Sequence, residues 1–278
     1  MDFAKFFLPA LALQFLLTAS AYSAESLSTV QLVFDQHAAE QRHSLLVIGN
    51  DRVATVDANN DVLSIFDAGS GKLYTLDHDH LSYRVSDVAS VHRLAEQIAA
   101  GMAALESRIA ELPAAQQNTA REQLLALFPQ REPVAGESTF VPEGTAGTFA
   151  GISCEWFDSL VDGERRGRIC ATAPEKLPGG PTLHSMLKSL SAMYEAMEQA
   201  DLGSIALPIP ENPMAPVAKL GLVPIKMEEY RPAESGEAAV ATSVELVSVT
   251  EQETSLSVLE LPAGYTLEDD AGNDAGEP

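Results

Sequence analysis

Residues 45–85 read LLVIGNDRVATVDANNDVLSIFDAGSGKLYTLDHDHLSYRV, and this stretch decides the fold. Four β-type runs stand in it, Leu45 to Val56, Val62 to Phe66, Lys72 to Leu76 and Leu81 to Val85. The dividers Asp57-Ala58-Asn59-Asn60, Gly69-Ser70-Gly71 and Asp77-His78-Asp79-His80 are rich in residues that accept turn geometry, so the spacing predicts an antiparallel meander. Upstream, Val30, Leu32 and Phe34 alternate as one more strand before a polar loop around Gln36 to His43.

Downstream the period changes. From Asp87, a helix N-cap by residue type, the apolar positions Val88, Val91, Leu94, Ile98, Met102, Leu105, Ile109 and Leu112 recur every three or four residues. That periodicity predicts a long helix, with Ile98, Leu105 and Ile109 expected to meet the sheet. Pro113 suits the first turn of a second helix through Leu124, Leu125 and Phe128, stopped by Pro129, so 87–129 reads as a helical pair inserted between sheet segments. Gln130 to Thr148 is rich in Pro and Gly and reads as a loop.

Cys154 and Cys170 are the two cysteines of the chain. Ile152 to Phe157 and Arg168 to Thr172 read as the arms of a hairpin around Asp162-Gly163, a register that puts Cys154 opposite Cys170 and within disulfide reach. A slip of one residue would point the two thiols to opposite faces and leave both free.

Gly179-Gly180-Pro181 then breaks the chain, and Thr182 can cap a third helix with Leu183, Met186, Leu187, Leu190, Met193, Tyr194 and Met197 on its apolar face and Gly203 as terminator. Five prolines from Pro208 to Pro224 mark a loop. Val223 to Met227, Val240 to Val249 and Leu256 to Leu261 read as the last strands, the third closing the sheet, and 268–278 as a disordered acidic tail.

The N-terminus carries an address. Lys5 precedes the apolar run Phe6 to Leu17 and the small-residue stretch Ala19-Ser20-Ala21-Tyr22-Ser23-Ala24. The pattern is that of a signal peptide over 1–24, cleaved after Ala21 or Ala24, which places the protein in the periplasm or outside the cell and gives its cysteines an oxidising compartment. About 255 residues then remain, enough for one α+β domain over 25–267. With 17 Lys and Arg against 40 Asp and Glu the net charge is −23, a field that repels phosphate backbones and anionic headgroups, so nucleic acid is excluded as a partner class.

Several features recur in one order: Lys72-Leu73-Tyr74-Thr75-Leu76-Asp77, the turn leading to Tyr83, Gly151-Ile152-Ser153-Cys154-Glu155, the Asp162-Gly163 hairpin, a short helix, Gly221-Leu222-Val223-Pro224-Ile225, and Leu261-Pro262-Ala263-Gly264-Tyr265. Together they resemble the exported bacterial family described as domain of unknown function 4412, over most of Leu45 to Tyr265. The resemblance implies a fold similar to the half-barrel of periplasmic lipoprotein carriers, a curved antiparallel sheet that wraps helices around an apolar cavity. It supplies no catalytic residue, and the long helical insertion and the position of Cys170 depart from the pattern.

Candidate chemistry is sparse. His78 and His80, in an extended segment, could point the same way as metal ligands, with His37 or His43 as a third, although a tight turn needs its aspartates anyway. The Gly-x-Ser-x-Gly elbow, the His-Glu-x-x-His pair and a phosphate-cradling glycine loop are missing from the sequence, and no cofactor is implied. Met186, Leu190, Met193 and Met197 form a deformable stripe suited to lining a greasy site. Trp156 beside Cys154 reads as packing against a bridge. The reading is therefore an exported module holding an apolar, acyl-type ligand between sheet and helices. The alternative is an envelope protein-interaction or structural protein with a filled core.

Overall fold

A computed structural model describes residues 26–37, 42–127, 138–198, 215–231 and 239–268. The signal-peptide reading over 1–24, the terminator Gly203, Phe128 and the acidic tail beyond Glu268 lie outside them.

Among the described residues twelve strands form one open sheet: β1 Ser26–His37, β2 Arg42–Gly49, β3 Arg52–Val56, β4 Val62–Asp67, β5 Lys72–Asp77, β6 Ser82–Ser86, β7 Ser138–Phe149, β8 Ile152–Val161, β9 Glu164–Thr172, β10 Val223–Arg231, β11 Ala239–Ser255 and β12 Thr266–Leu267. Their spatial order is β12-β6-β5-β4-β3-β2-β1-β11-β10-β9-β8-β7. All pairings are antiparallel except that of β12 with β6. The sheet curls enough for β7 to approach β11, four places away in that order.

The meander is as the sequence predicts, with one correction. Leu45 to Val56 is two strands, because Asn50 (φ 47°) and Asp51 (φ 58°) take left-handed conformations and turn the chain between Gly49 and Arg52. A second correction falls on Gln130 to Thr148, where 138–149 is the edge strand β7. Pro142 is tolerated there because the ladder to β8 is interrupted between Pro142 and Ala146, where the register shifts.

The C-terminal run differs too. Leu256–Leu259 is a 3-10 turn, its N-cap Ser255 accepting from the Ser257 amide. Leu259 is buried against Val47, Ala54, Ile65 and Leu76, so this run covers the sheet as a strap instead of closing it.

Among the described residues four helices accompany the sheet: α1 Val88–Ala110, α2 Ala114–Leu127, α3 Gly180–Glu198 and α4 Ala215–Leu220. Asp87 caps α1 as its residue type predicts, in a reciprocal capping box with Ser90. The helix α3 starts two residues before Thr182, at Gly180, where a Cβ would stand 2.1 Å from the Pro174 carbonyl oxygen. None of the helices among the described residues is long and apolar enough to cross a membrane.

The buried side of α1 is Ala95, Met102 and Ile109 and faces α3, whereas Leu105 is 39 % exposed. The expected contact of Leu105 with the sheet is therefore corrected: the main neighbour of α1 is α3, which itself packs on β3 and β10. In sequence α1 and α2 join β6, near one end of the sheet, to β7 at the other.

Candidate functional site

A partly open cavity of about 110 Å³ lies between α3 and four consecutive strands. Its walls are Phe34 of β1, Leu46 of β2, Pro224, Ile225, Lys226 and Met227 of β10, Val244 of β11, and Leu183, Met186 and Leu187 of α3. The lining is almost entirely apolar. Its shape follows from local structure: the ladder between β10 and β9 shifts register between Pro224 and Lys226, so Pro224, Ile225, Lys226 and Met227 all contribute to one wall. The helix supplies Leu183, Met186 and Leu187 at the three- and four-residue spacing of one face.

Of the four side chains the sequence offers as lining, Met186 is in the wall. Leu190, Met193 and Met197 are not among the lining residues; Met193 is buried at 7 % exposure further along α3. The cavity thus lies at the N-terminal half of the helix. Its sheet-side residues come from strands distant in sequence, which no local periodicity brings together.

Among the described residues Lys226 is the one charged residue in the lining, and the register sends its side chain to the sheet face opposite Met227 and Val244. The Lys226 ammonium donates to Glu245 Oε2 at 2.8 Å, lies 3.5 Å from Glu228 Oε1 and stands 5.0 Å over the Phe149 ring. Lys226 and Glu245 are direct partners across β10 and β11, and Glu228 and Arg168 across β10 and β9, so the register itself builds an ionic ladder. Arg168 Nε donates to Glu228 Oε2 at 2.7 Å while its guanidinium lies 4.2 Å over the Trp156 ring. Burial pushes the Glu228 carboxyl up, but the hydrogen bond and charge of Arg168, with the charge of Lys226, outweigh it and hold the group below the usual glutamate range. Arg165 extends the ladder to Glu143 and Asp158.

Cys154 and Cys170 are disulfide-bonded, with a Cα separation of 5.4 Å. The register differs from the expected one. A two-residue turn at Asp162-Gly163 and a shift between Ser159 and Leu160 set Trp156, not Cys154, opposite Cys170. Residues 154 and 156 share a strand face, so the bridge forms on the diagonal.

His78 and His80 are held apart in function. His78 Nδ1 bonds Tyr265 Oη at 2.5 Å and its Nε2 bonds the Val62 carbonyl at 2.8 Å, so the ring ties the segment just past the strap to β4. His80 Nδ1 bonds Asp77 Oδ2 at 2.9 Å, and Asp77 also accepts from the amides of Asp79 and His80. Among the described residues no group of three His, Cys, Asp or Glu side chains is placed to hold a metal ion. His43, a suggested third ligand, bonds Asp35 at 2.6 Å.

The chain matches no family model, no curated protein and no solved structure among those it was compared with.

Proposed function

We propose that this protein is an exported, periplasmic carrier that holds the apolar end of an acyl-type chain between its sheet and α3. The observation that carries the reading is the apolar cavity walled by Phe34, Ile225, Met227 and Val244 on one side and Leu183, Met186 and Leu187 on the other. An engineered cavity of roughly 150 Å³ lined by aliphatic and aromatic side chains binds benzene, so about 110 Å³ suits the last few carbons of a chain. Longer chains require α3 to lift from the strands it covers. The half-barrel form, the family of domain of unknown function 4412, the signal peptide and the status of α1 and α2 as an insertion belong to the same reading. The continuous curled sheet and the sequence pattern support it.

One observation favours the alternative, a protein-interaction role: Leu94 and Leu105 of α1, and Leu112 just past its end, are 49, 39 and 38 % exposed. Native mass spectrometry of protein purified from its own envelope separates the two. A co-purifying lipid mass is the outcome expected of a carrier, and a bare chain or a bound polypeptide mass that of the alternative.

A further inference from the structure

We infer that Ile225 is the stop of the site, so that the cavity admits the end of an unbranched alkyl chain to a fixed depth and turns away molecules that end in a ring. This rests on the carrier reading and specifies its substrate class. The side chains around the space are graded in exposure. Ile225 and Leu183 are 1 and 4 % exposed, whereas Phe34, Met186, Met227 and Val244 are half-buried. The first two therefore mark the closed end and the other four the mouth. The closed end backs onto filled core, because Ile225 and Leu183 belong to the buried cluster that also holds Leu32 and Leu246.

Ile225 owes this place to the backbone. The register of β10 on β9 passes from Pro224 opposite Ala171 directly to Lys226 opposite Cys170, so Ile225 is the extra residue of a bulge, and it precedes Lys226, the first residue of β10 paired with β11. A bulge re-aims a side chain, and this one sets Ile225 in the wall beside Met227, two residues on and on the same face by alternation. The size of the space follows the same logic. A cavity of roughly 150 Å³ holds the six carbons of benzene, so about 110 Å³ holds about four carbons in a line and no ring. Met186 and Met227 at the mouth are deformable and adapt to the part of the chain that emerges. Ile225, β-branched and stiff at its first torsion, does not yield in that way.

The test is a titration of lipid-stripped protein whose methionines are labelled at the methyl carbon, so that the Met186 and Met227 signals follow binding by NMR. The probes are the straight alcohols from propan-1-ol to nonan-1-ol, and cyclohexylmethanol. In wild type the affinity should rise about fourfold per added methylene until the space is filled, and by less than about twofold per methylene beyond that break. Ile225→Val should move the break outward by about one carbon and Ile225→Ala by about two to three, the carbons each substitution removes. Met193→Ala, at a buried position on α3 outside the wall, should leave the break in place. Heptan-1-ol should bind wild type at least tenfold more tightly than cyclohexylmethanol, which has as many carbons, and Ile225→Ala should narrow that ratio several-fold. Each variant is first checked for a retained melting transition, and should the alanine variant not fold, the valine variant decides alone. A break that stays put in the folded Ile225 variants, or cyclohexylmethanol binding wild type as tightly as heptan-1-ol, would overturn the inference and leave the carrier reading intact. Methyl signals unmoved by every compound would overturn both.

Discussion

Cys170 stands across the β8–β9 ladder from Trp156, and its disulfide partner Cys154 is one pair further along the same face of β8. Bridge and indole therefore pack as one unit, with Phe149 edge-on to Trp156 at 6.0 Å. The two cysteines are 16 residues apart in sequence, and closing a loop of that length is worth roughly 3 kcal/mol in the chain-entropy model. For a protein of this size reduction should then lower the melting temperature by roughly 6–12 °C. Thiol labelling of the unfolded, unreduced chain should find no free cysteine; two labels per chain would contradict the bridge.

The Arg168–Glu228 pair gives a pH-dependent term of defined sign. Because the folded Glu228 carboxyl titrates below its ordinary value of 4.5, its contribution is present above about pH 4.5 and is lost as the pH falls through the lowered folded value. Arg168→Ala should cost about 1.5–3 kcal/mol at pH 7, the scale of a hydrogen bond to a charged group. Denaturant titrations at pH 7 and below pH 4 check both statements: the penalty should shrink in acid, and a pH-independent penalty would mean that Arg168 acts by packing on Trp156 alone.

On α1 two neighbouring positions should behave oppositely. Ile109 is 8 % exposed and faces α3, so Ile109→Ala should cost about 2–5 kcal/mol. Leu105→Ala, at an exposed position, should change stability by less than about 1 kcal/mol. Equal penalties by chemical denaturation would mean that the helix is rotated from the position described.

Two glycines make a second contrasting pair. A Cβ at Gly180 would meet the Pro174 carbonyl oxygen at 2.1 Å and its carbon at 2.9 Å, so Gly180→Ala must displace backbone and should cost roughly 1–3 kcal/mol. At Gly101, in the middle of α1, a Cβ would meet nothing within 4 Å, and Gly101→Ala should stabilise by up to about 1 kcal/mol. Melting temperatures moving the same way in both variants would contradict this account of the helices.

What was legible in the sequence was local. The meander, the Asp87 cap and the Asp162-Gly163 turn each rest on a few neighbouring residues whose conformational preferences agree with the fold. Strand β7 was hidden because Pro142 and Gly144 read as breakers, and only an edge position with a register shift accommodates them. The strap was hidden because Leu256 to Leu261 is as apolar as a strand, while the capping of Ser257 by Ser255 turns it into a 3-10 segment. The cavity was legible at Met186 alone. Phe34, Ile225 and Val244 meet it only through the order of the sheet, and Lys226 joins its wall at a register shift that no alternation announces.

The central claim is that the space beside Met186 is where an apolar chain end sits. Calorimetric titration of octan-1-ol, whose flexible chain end matches a cavity of about 110 Å³, into lipid-stripped wild-type protein and Met186→Trp measures this most directly, with each melting transition recorded alongside. The account predicts saturable binding to wild type and at least a tenfold loss in the folded variant, whose indole fills the cavity. Equal binding before and after the substitution, or none to either, would contradict it.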